Sequence, residues 1–288
     1  MVIWGATFVV VKDALSDASV FSFIAVRFSV AALLMALIFH AALGKLDRAT
    51  LFAGALLGFF MLSGYVFQTV GLKFTTPSKA AFINSSSVVM VPLLLAAFWR
   101  RRTNIWVWCG AIAAFAGLYF LSVPAAGLSG LNLGDMLTLG AALMFALHII
   151  IVAHFTQRHS IAALSFLQVA TMAILASVSL PLLAVTKLEP PHIHWTGSLI
   201  WDIGITAVGA TAIAFSLQLW AQKYTTPSHA AILFTLEPVF AAITSYIVAH
   251  EQLTPRALVG AVLILFGILL AELKGPAPAA AESPSPSG

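Results

Sequence analysis

The sequence predicts an all-α membrane protein whose ten transmembrane helices form two inverted five-helix repeats around a central cavity. Three observations predict it. Hydrophobic residues make up 61% of the 288 positions and charged residues only 8%, with a mean hydropathy of +1.02, where a soluble domain carries about 25% charged residues. Apolar runs of membrane-crossing length follow one another with short breaks. A nine-residue motif near the middle of the first half returns in the second.

Taken in chain order, the apolar runs are expected at about 2–15, 20–42, 50–72, 77–98, 104–122, 132–154, 160–186, 196–222, 227–248 and 254–273. The first is short for a span of about 20 residues, which leaves room for natural sequence ahead of Met1. No basic n-region or cleavage site marks a signal peptide there. Pro92, Pro181 and Pro238 fall inside runs, where each removes a backbone donor and can kink its helix. Residues 1–122 then form the first repeat and 132–273 the second. Beyond Lys274 the chain is dominated by Gly, Pro, Ala and Ser, the composition of a disordered tail.

Charge placement bears on topology. With the N-terminus cytoplasmic, inside loops hold Lys45, Arg48, Arg100, Arg101, Arg102, Arg158, Lys223 and Lys274, against Lys12, Lys73, Lys79, Lys187 and Arg256 outside. The bias favours both termini inside. The net charge of +4 is spread over short gaps and forms no stripe for nucleic acid. The single cysteine, Cys109, lies in an apolar stretch and reads as a small buried hydrophobe. Neither a metal-ligand spacing nor a cofactor fingerprint nor a hydrolase motif is found, so the expectation is no cofactor, no metal and no enzyme activity. The expected partners are a small-molecule substrate and membrane lipid, in a monomer or homodimer.

The repeat is the strongest signal. Lys73-Phe74-Thr75-Thr76-Pro77-Ser78-Lys79-Ala80-Ala81 recurs as Lys223-Tyr224-Thr225-Thr226-Pro227-Ser228-His229-Ala230-Ala231, with seven of nine residues identical at a shift of 150. The same shift pairs Gln68 with Gln218, Gly110 with Gly260 and Gly117 with Gly267. A shift of 141 sets Trp4-Gly5-Ala6-Thr7 against Phe145-Ala146-Leu147-His148. Five helices is an odd number, so the second half enters the membrane from the opposite side. Inverted repeats are a recurrent plan of secondary transporters, with the substrate site near the midplane. Within the motif, Thr76 or Thr226 can cap a helix and Pro77 or Pro227 suits its first position.

Trp4-Gly5, Arg27-Phe28, the repeated Thr-Thr-Pro-Ser, Leu236-Glu237-Pro238-Val239 and His250-Glu251-Gln252-Leu253-Thr254 followed by Gly260 and Gly267 together resemble the EamA-type drug/metabolite transporters. Within that superfamily the chain is most similar to the YddG-type bacterial exporters of aromatic amino acids. The resemblance implies a multi-pass exporter of aromatic amino acids and related metabolites in the bacterial inner (plasma) membrane, working by alternating access. It departs in charge: Arg100-Arg101-Arg102 stands where the second half has His250-Glu251-Gln252, and Ser87 stands opposite Glu237.

Candidate residues follow from depth and polarity. Glu237 is about ten residues into its run and Arg27 about eight from the end of its own, which puts both near the midplane, about 12 to 15 Å deep. They are a charge pair, or Glu237 is a coupling carboxylate. His148 is equally deep, opposite Thr7 in the repeat; with Gln68, Asn84, Gln168 and Gln218 it either binds substrate or ties helices together. Trp4 is the aromatic candidate for substrate stacking. Lys79 opposes its helix dipole in the first turn and is either an anion-binding cation or a snorkelling one. Lys79 and Arg27 would be the anion-binding residues of an alternative, an exchanger of phosphorylated or nucleotide-linked sugars.

Overall fold

The computed structural model describes residues 1–44, 46–72, 74–75, 77–98, 103–123, 132–186, 189–248 and 254–274. For positions 8, 9, 12, 42, 72, 77–79, 81, 245 and 248 it describes the backbone alone. The tail beyond Lys274, the Arg100–Arg102 cluster and the Lys79 side chain lie outside the described residues.

Every regular element among the described residues is helical. They are α1 (Val2–Ala14), α2 (Val20–Ile38), the short α3 (His40–Leu43), α4 (Arg48–Leu72), α5 (Pro77–Asn84), α6 (Ser87–Phe98), α7 (Ile105–Ser122), α8 (Leu133–Phe155), α9 (Ile161–Thr186), α10 (Gly197–Ile205), α11 (Ala214–Gln222), α12 (Pro227–Phe234), α13 (Leu236–Val248) and α14 (Pro255–Lys274). A π-helical stretch, Thr206–Ile213, joins α10 to α11, so the three form one span. Seven helices among the described residues are long and apolar enough to cross a membrane: Val20–Ile38, Arg48–Gly71, Ile105–Ser122, Leu133–Phe155, Ile161–Thr186, Gly197–Gln222 and Pro255–Lys274. The other three expected runs are short or divided. α1 has 13 residues, 77–98 is broken between α5 and α6, and 227–248 between α12 and α13.

Local chemistry sets the helix starts. Asn132 and Asp135 form a reciprocal capping box on α8, with bonds of 3.0 and 2.8 Å. Thr226 caps α12 through the His229 amide, with Pro227 next in line, as the repeated motif leads one to expect. α2 is capped from elsewhere in the chain: the Glu189 carboxylate accepts from the amides of Val20 and Phe21. A single β-bridge, Ala18 to Ile193, and the Asp17–Thr196 bond lace that end of the bundle.

Lipid offers no hydrophobic force between helices, so packing rests on close approach and polar contacts. One close seam joins α7 to α14. A Cβ on Gly110 would stand 2.5 Å from the Gly267 carbonyl, and one on Gly117 would stand 2.6 Å from that of Gly260, so only glycine fits at these crossings. Gly5 does the same for α1 against α13, where a Cβ would meet Phe240, Ala241 and the Glu237 carbonyl at 2.7 to 2.8 Å. Cys109 departs from its expected burial and is exposed on the outer side of α7, because its neighbour Gly110 occupies the seam.

The breaks also depart from a simple reading of proline. Pro181 leaves α9 continuous. The interruption in 77–98 falls at Ser85–Ser86, ahead of Pro92, where the chain tightens through Ser86 N to Ile83 O and Val88 N to Ser85 O. In the second half the interruption is Thr235, whose hydroxyl donates to Ile232 O at 2.6 Å. Pro238 three residues on cannot donate back to Phe234.

Candidate functional site

The interior where the two halves meet is aromatic. Trp4 on α1 lies against Phe215 on α11 at 5.5 Å between ring centroids and against Phe234 on α12 at 6.2 Å. Phe28 on α2 stacks on Phe215 at 6.4 Å and meets Tyr65 on α4 edge-on at 6.1 Å. Tyr65 in turn meets Phe145 on α8 at 5.7 Å. Phe234, Trp4, Phe215, Phe28, Tyr65 and Phe145 thus form one connected row across six helices. Each offset or edge contact adds about 0.5–1.5 kcal/mol beyond its buried area.

The π-helix holds the polar edge of this row. A π turn leaves carbonyls without their usual partners, and the Trp4 indole donates to Ala210 O at 2.8 Å. The neighbouring Thr211 hydroxyl donates back to Thr206 O, five residues earlier, and accepts from Arg27 Nε at 2.8 Å. Two adjacent residues of one distorted turn therefore seat both Trp4 and Arg27.

Arg27 is 7% exposed, and its guanidinium lies 5.4 Å from the Phe28 ring. Among the described residues, no ion pair joins it to Glu237 and no acceptor takes either Nη. The depth argument put both charges at one level, but depth says nothing of which way each helix turns its side chain. An arginine at the centre of a membrane helix costs about 2.5–3.5 kcal/mol on insertion scales. One hydrogen bond from a charged donor returns about 1.5–3 kcal/mol. The single bond to Thr211 therefore covers the cost at best and leaves the outer fork of the guanidinium unserved. Glu237, in the first turn of α13, is half-buried, and Tyr65 lies within electrostatic reach of both Arg27 and Glu237.

The remaining candidates separate. His148 and Gln168 come together, Nε2 to Oε1 at 2.7 Å between α8 and α9, both fully buried. Among the described residues, Gln168 Nε2 and Ser165 Oγ beside it have no partner, and nor do Gln218 Oε1 and Gln222 Nε2 on α11. Thr7 turns its hydroxyl back to Ile3 and Trp4 carbonyls. Asn84 ends α5 at the first break, its Oδ1 buried and unpartnered like Ser86 Oγ. Gln68 is half-buried on α4. Neither Gln68 nor Asn84 bonds to the His148–Gln168 pair. His229, the counterpart of Lys79, is buried with Nδ1 3.3 Å from Glu272 Oε1 on α14.

Sequence reasoning missed Tyr65, Phe215 and Thr211. A signal existed for the first two, since Tyr65 and Phe215 share one register at the 150-residue shift.

The EamA-like transporter family matches this chain over residues 1–123 and again over 132–273. The chain belongs to that family. An uncharacterised transporter of Archaeoglobus fulgidus is 38% identical over 272 residues, covering 94% of this chain and 83% of the relative. The threonine/homoserine exporter RhtA of Escherichia coli K12 is 30% identical over 166 residues, which is 57% of this chain and 53% of that one. A solved crystal structure superposes with a TM-score of 0.79 at 17% identity, covering 95% of this chain and 94% of the other; that likeness is one of fold. The chain is a multi-pass membrane transporter of small molecules.

Proposed function

We propose that this chain is a secondary transporter that exports aromatic amino acids and related small metabolites across the bacterial plasma membrane by alternating access. Its ten transmembrane segments form two inverted five-helix repeats, with both termini cytoplasmic. The observation that carries the substrate class is the row of six aromatic rings with Arg27 on its edge. Amino-acid export is in keeping with the name of the RhtA relatives.

Contacts that exchange under the repeat support the inverted plan. Gly110 meets Gly267 and Gly117 meets Gly260; shifting each pair by 150 turns one contact into the other. Trp4 meets Phe215 and, by the two repeat shifts, Phe145 meets Tyr65. The breaks at Ser85–Ser86 and Thr235 are likewise 150 residues apart. Interrupted helices at matching positions of two halves are a pointer to a midplane site in transporters. Trp4, Thr7, Gln68, Asn84, His148, Gln168 and Gln218 are the proposed polar and stacking contacts of the substrate path, with Lys79 at its outer mouth and Arg27 and Glu237 as its intramembrane charges.

Counterflow in proteoliposomes tests the reading. Protein loaded with unlabelled aromatic amino acid accumulates labelled phenylalanine, tyrosine or tryptophan, and ignores sugar phosphates. Exchange of sugar phosphates in place of amino acids would replace this reading with the exchanger.

A further inference from the structure

Among the described residues, no acceptor takes either terminal nitrogen of Arg27, which lies beside a row of aromatic rings. Nor, among them, does an ion pair join Arg27 to Glu237, whose carboxylate lies within electrostatic reach of Tyr65 and of the Met1 amine, and whose backbone carbonyl meets α1 at Gly5. Trp4 and Arg27 are seated on consecutive residues, Ala210 and Thr211. Both charges thus lie within electrostatic reach of Tyr65 in the aromatic row, and among the described residues no direct bond joins them. A guanidinium fork whose Nε is already anchored offers both Nη to a planar carboxylate. A carboxylate beside aromatic faces suits an ammonium.

We infer that Arg27 and Glu237 are the two poles that recognise the head group of a zwitterionic amino acid, Arg27 taking the α-carboxylate and Glu237 the α-ammonium, while the side chain lies along the aromatic row. The inference rests on the amino-acid reading above and assigns its specificity. Thr211 is a positioning residue: it orients the fork by occupying Nε, so only the Nη pair faces the substrate.

The test is inhibition of labelled L-phenylalanine counterflow in proteoliposomes of the full chain by two analogues, phenethylamine, which lacks the carboxylate, and 3-phenylpropionate, which lacks the ammonium. In Arg27→Gln the half-saturating L-phenylalanine concentration rises about 30-fold or more, as for truncating one partner of a buried charge contact. Inhibition by 3-phenylpropionate disappears and that by phenethylamine persists. Glu237→Gln gives the opposite pattern. Arg27→Lys, which keeps the charge and loses the fork, serves if the glutamine variant does not fold; it weakens 3-phenylpropionate more than phenethylamine. Equal loss of both analogues in each variant overturns the inference. So does a double variant, Arg27→Gln with Glu237→Gln, that regains transport lost in the singles, since the two would then serve only each other. Wild-type protein that moves no amino acid overturns the transport reading itself and the head-group assignment with it.

Discussion

Two spans of this molecule, α4 and Gly197–Gln222, occupy the same register 150 residues apart and have become different objects. α4 is one regular helix of 25 residues. Its counterpart opens into a π-helix over Thr206–Ile213. The sequences explain the divergence. Where the second span has Thr206-Ala-Val-Gly-Ala-Thr211, the first has Leu56-Leu-Gly-Phe-Phe-Met61. Threonine hydroxyls at 206 and 211 bond back to Asp202 O at 2.6 Å and Thr206 O at 3.0 Å, competing with the regular ladder and bending the helix. Small residues between them leave room for the widened turn. In α4 the bulky residues stay in the ladder, and Met61 lies in a buried hydrophobic cluster, whereas Thr211 holds Arg27. Gly197–Gln222 thus carries a polar edge on the aromatic row where α4 carries Met61.

Three substitutions would break or sharpen that contrast. The largest effect is expected for Thr211→Val, which keeps the shape and removes the acceptor of a buried charged donor; about 1.5–3 kcal/mol should be lost, read as a lower thermal midpoint in detergent. Met61→Thr, its mirror on α4, should leave the Arg27 contact untouched, and an equal loss in both would erase the distinction. Next is Trp4→Phe, which makes Trp4 like its counterpart Phe145. It forfeits one hydrogen bond worth about 0.5–1.5 kcal/mol, seen as a few-fold weaker phenylalanine exchange with the protein still folded. The smallest lies at the helix starts. α4 begins at a carboxylate cap, Asp47 Oδ1 to the Thr50 amide at 2.8 Å. Gly197–Gln222 begins at a hydroxyl, Thr196 to the Leu199 amide at 3.1 Å. Hydrogen bonds from Thr50 hold the Asp47 carboxyl below its usual pKa, so the cap's contribution is present above about pH 4 and fades as pH falls through the lowered value. Amide exchange at Thr50 should quicken there relative to its intrinsic rate, while Leu199 should show no such step.

Hydropathy made the membrane class and most span limits legible, because apolar length is a one-dimensional property. Seven of the expected runs appear as continuous spans, and the glycines that the repeat shift pairs line the α7–α14 seam. Helix interruptions were less legible. Pro92 and Pro181 sit in helices that run through them, whereas the breaks fall on Ser85–Ser86 and on Thr235, whose hydroxyl donates to Ile232 O. Arg27 and Glu237 could be placed in depth but not in azimuth. The π-helix left only a faint trace, a run of Thr, Ala and Gly, since the residues that bond to its open edge, Trp4 and Arg27, come from other helices.

Cys109 is the only cysteine of the chain and points outward from α7, one residue from Gly110. A nitroxide or fluorophore attached there would touch neither the glycine seam nor the aromatic row, and no background thiol would have to be removed first. The protein therefore carries a native reporter position on its outer face, against which movements of α1, α13 or the π-helix can be measured as distances.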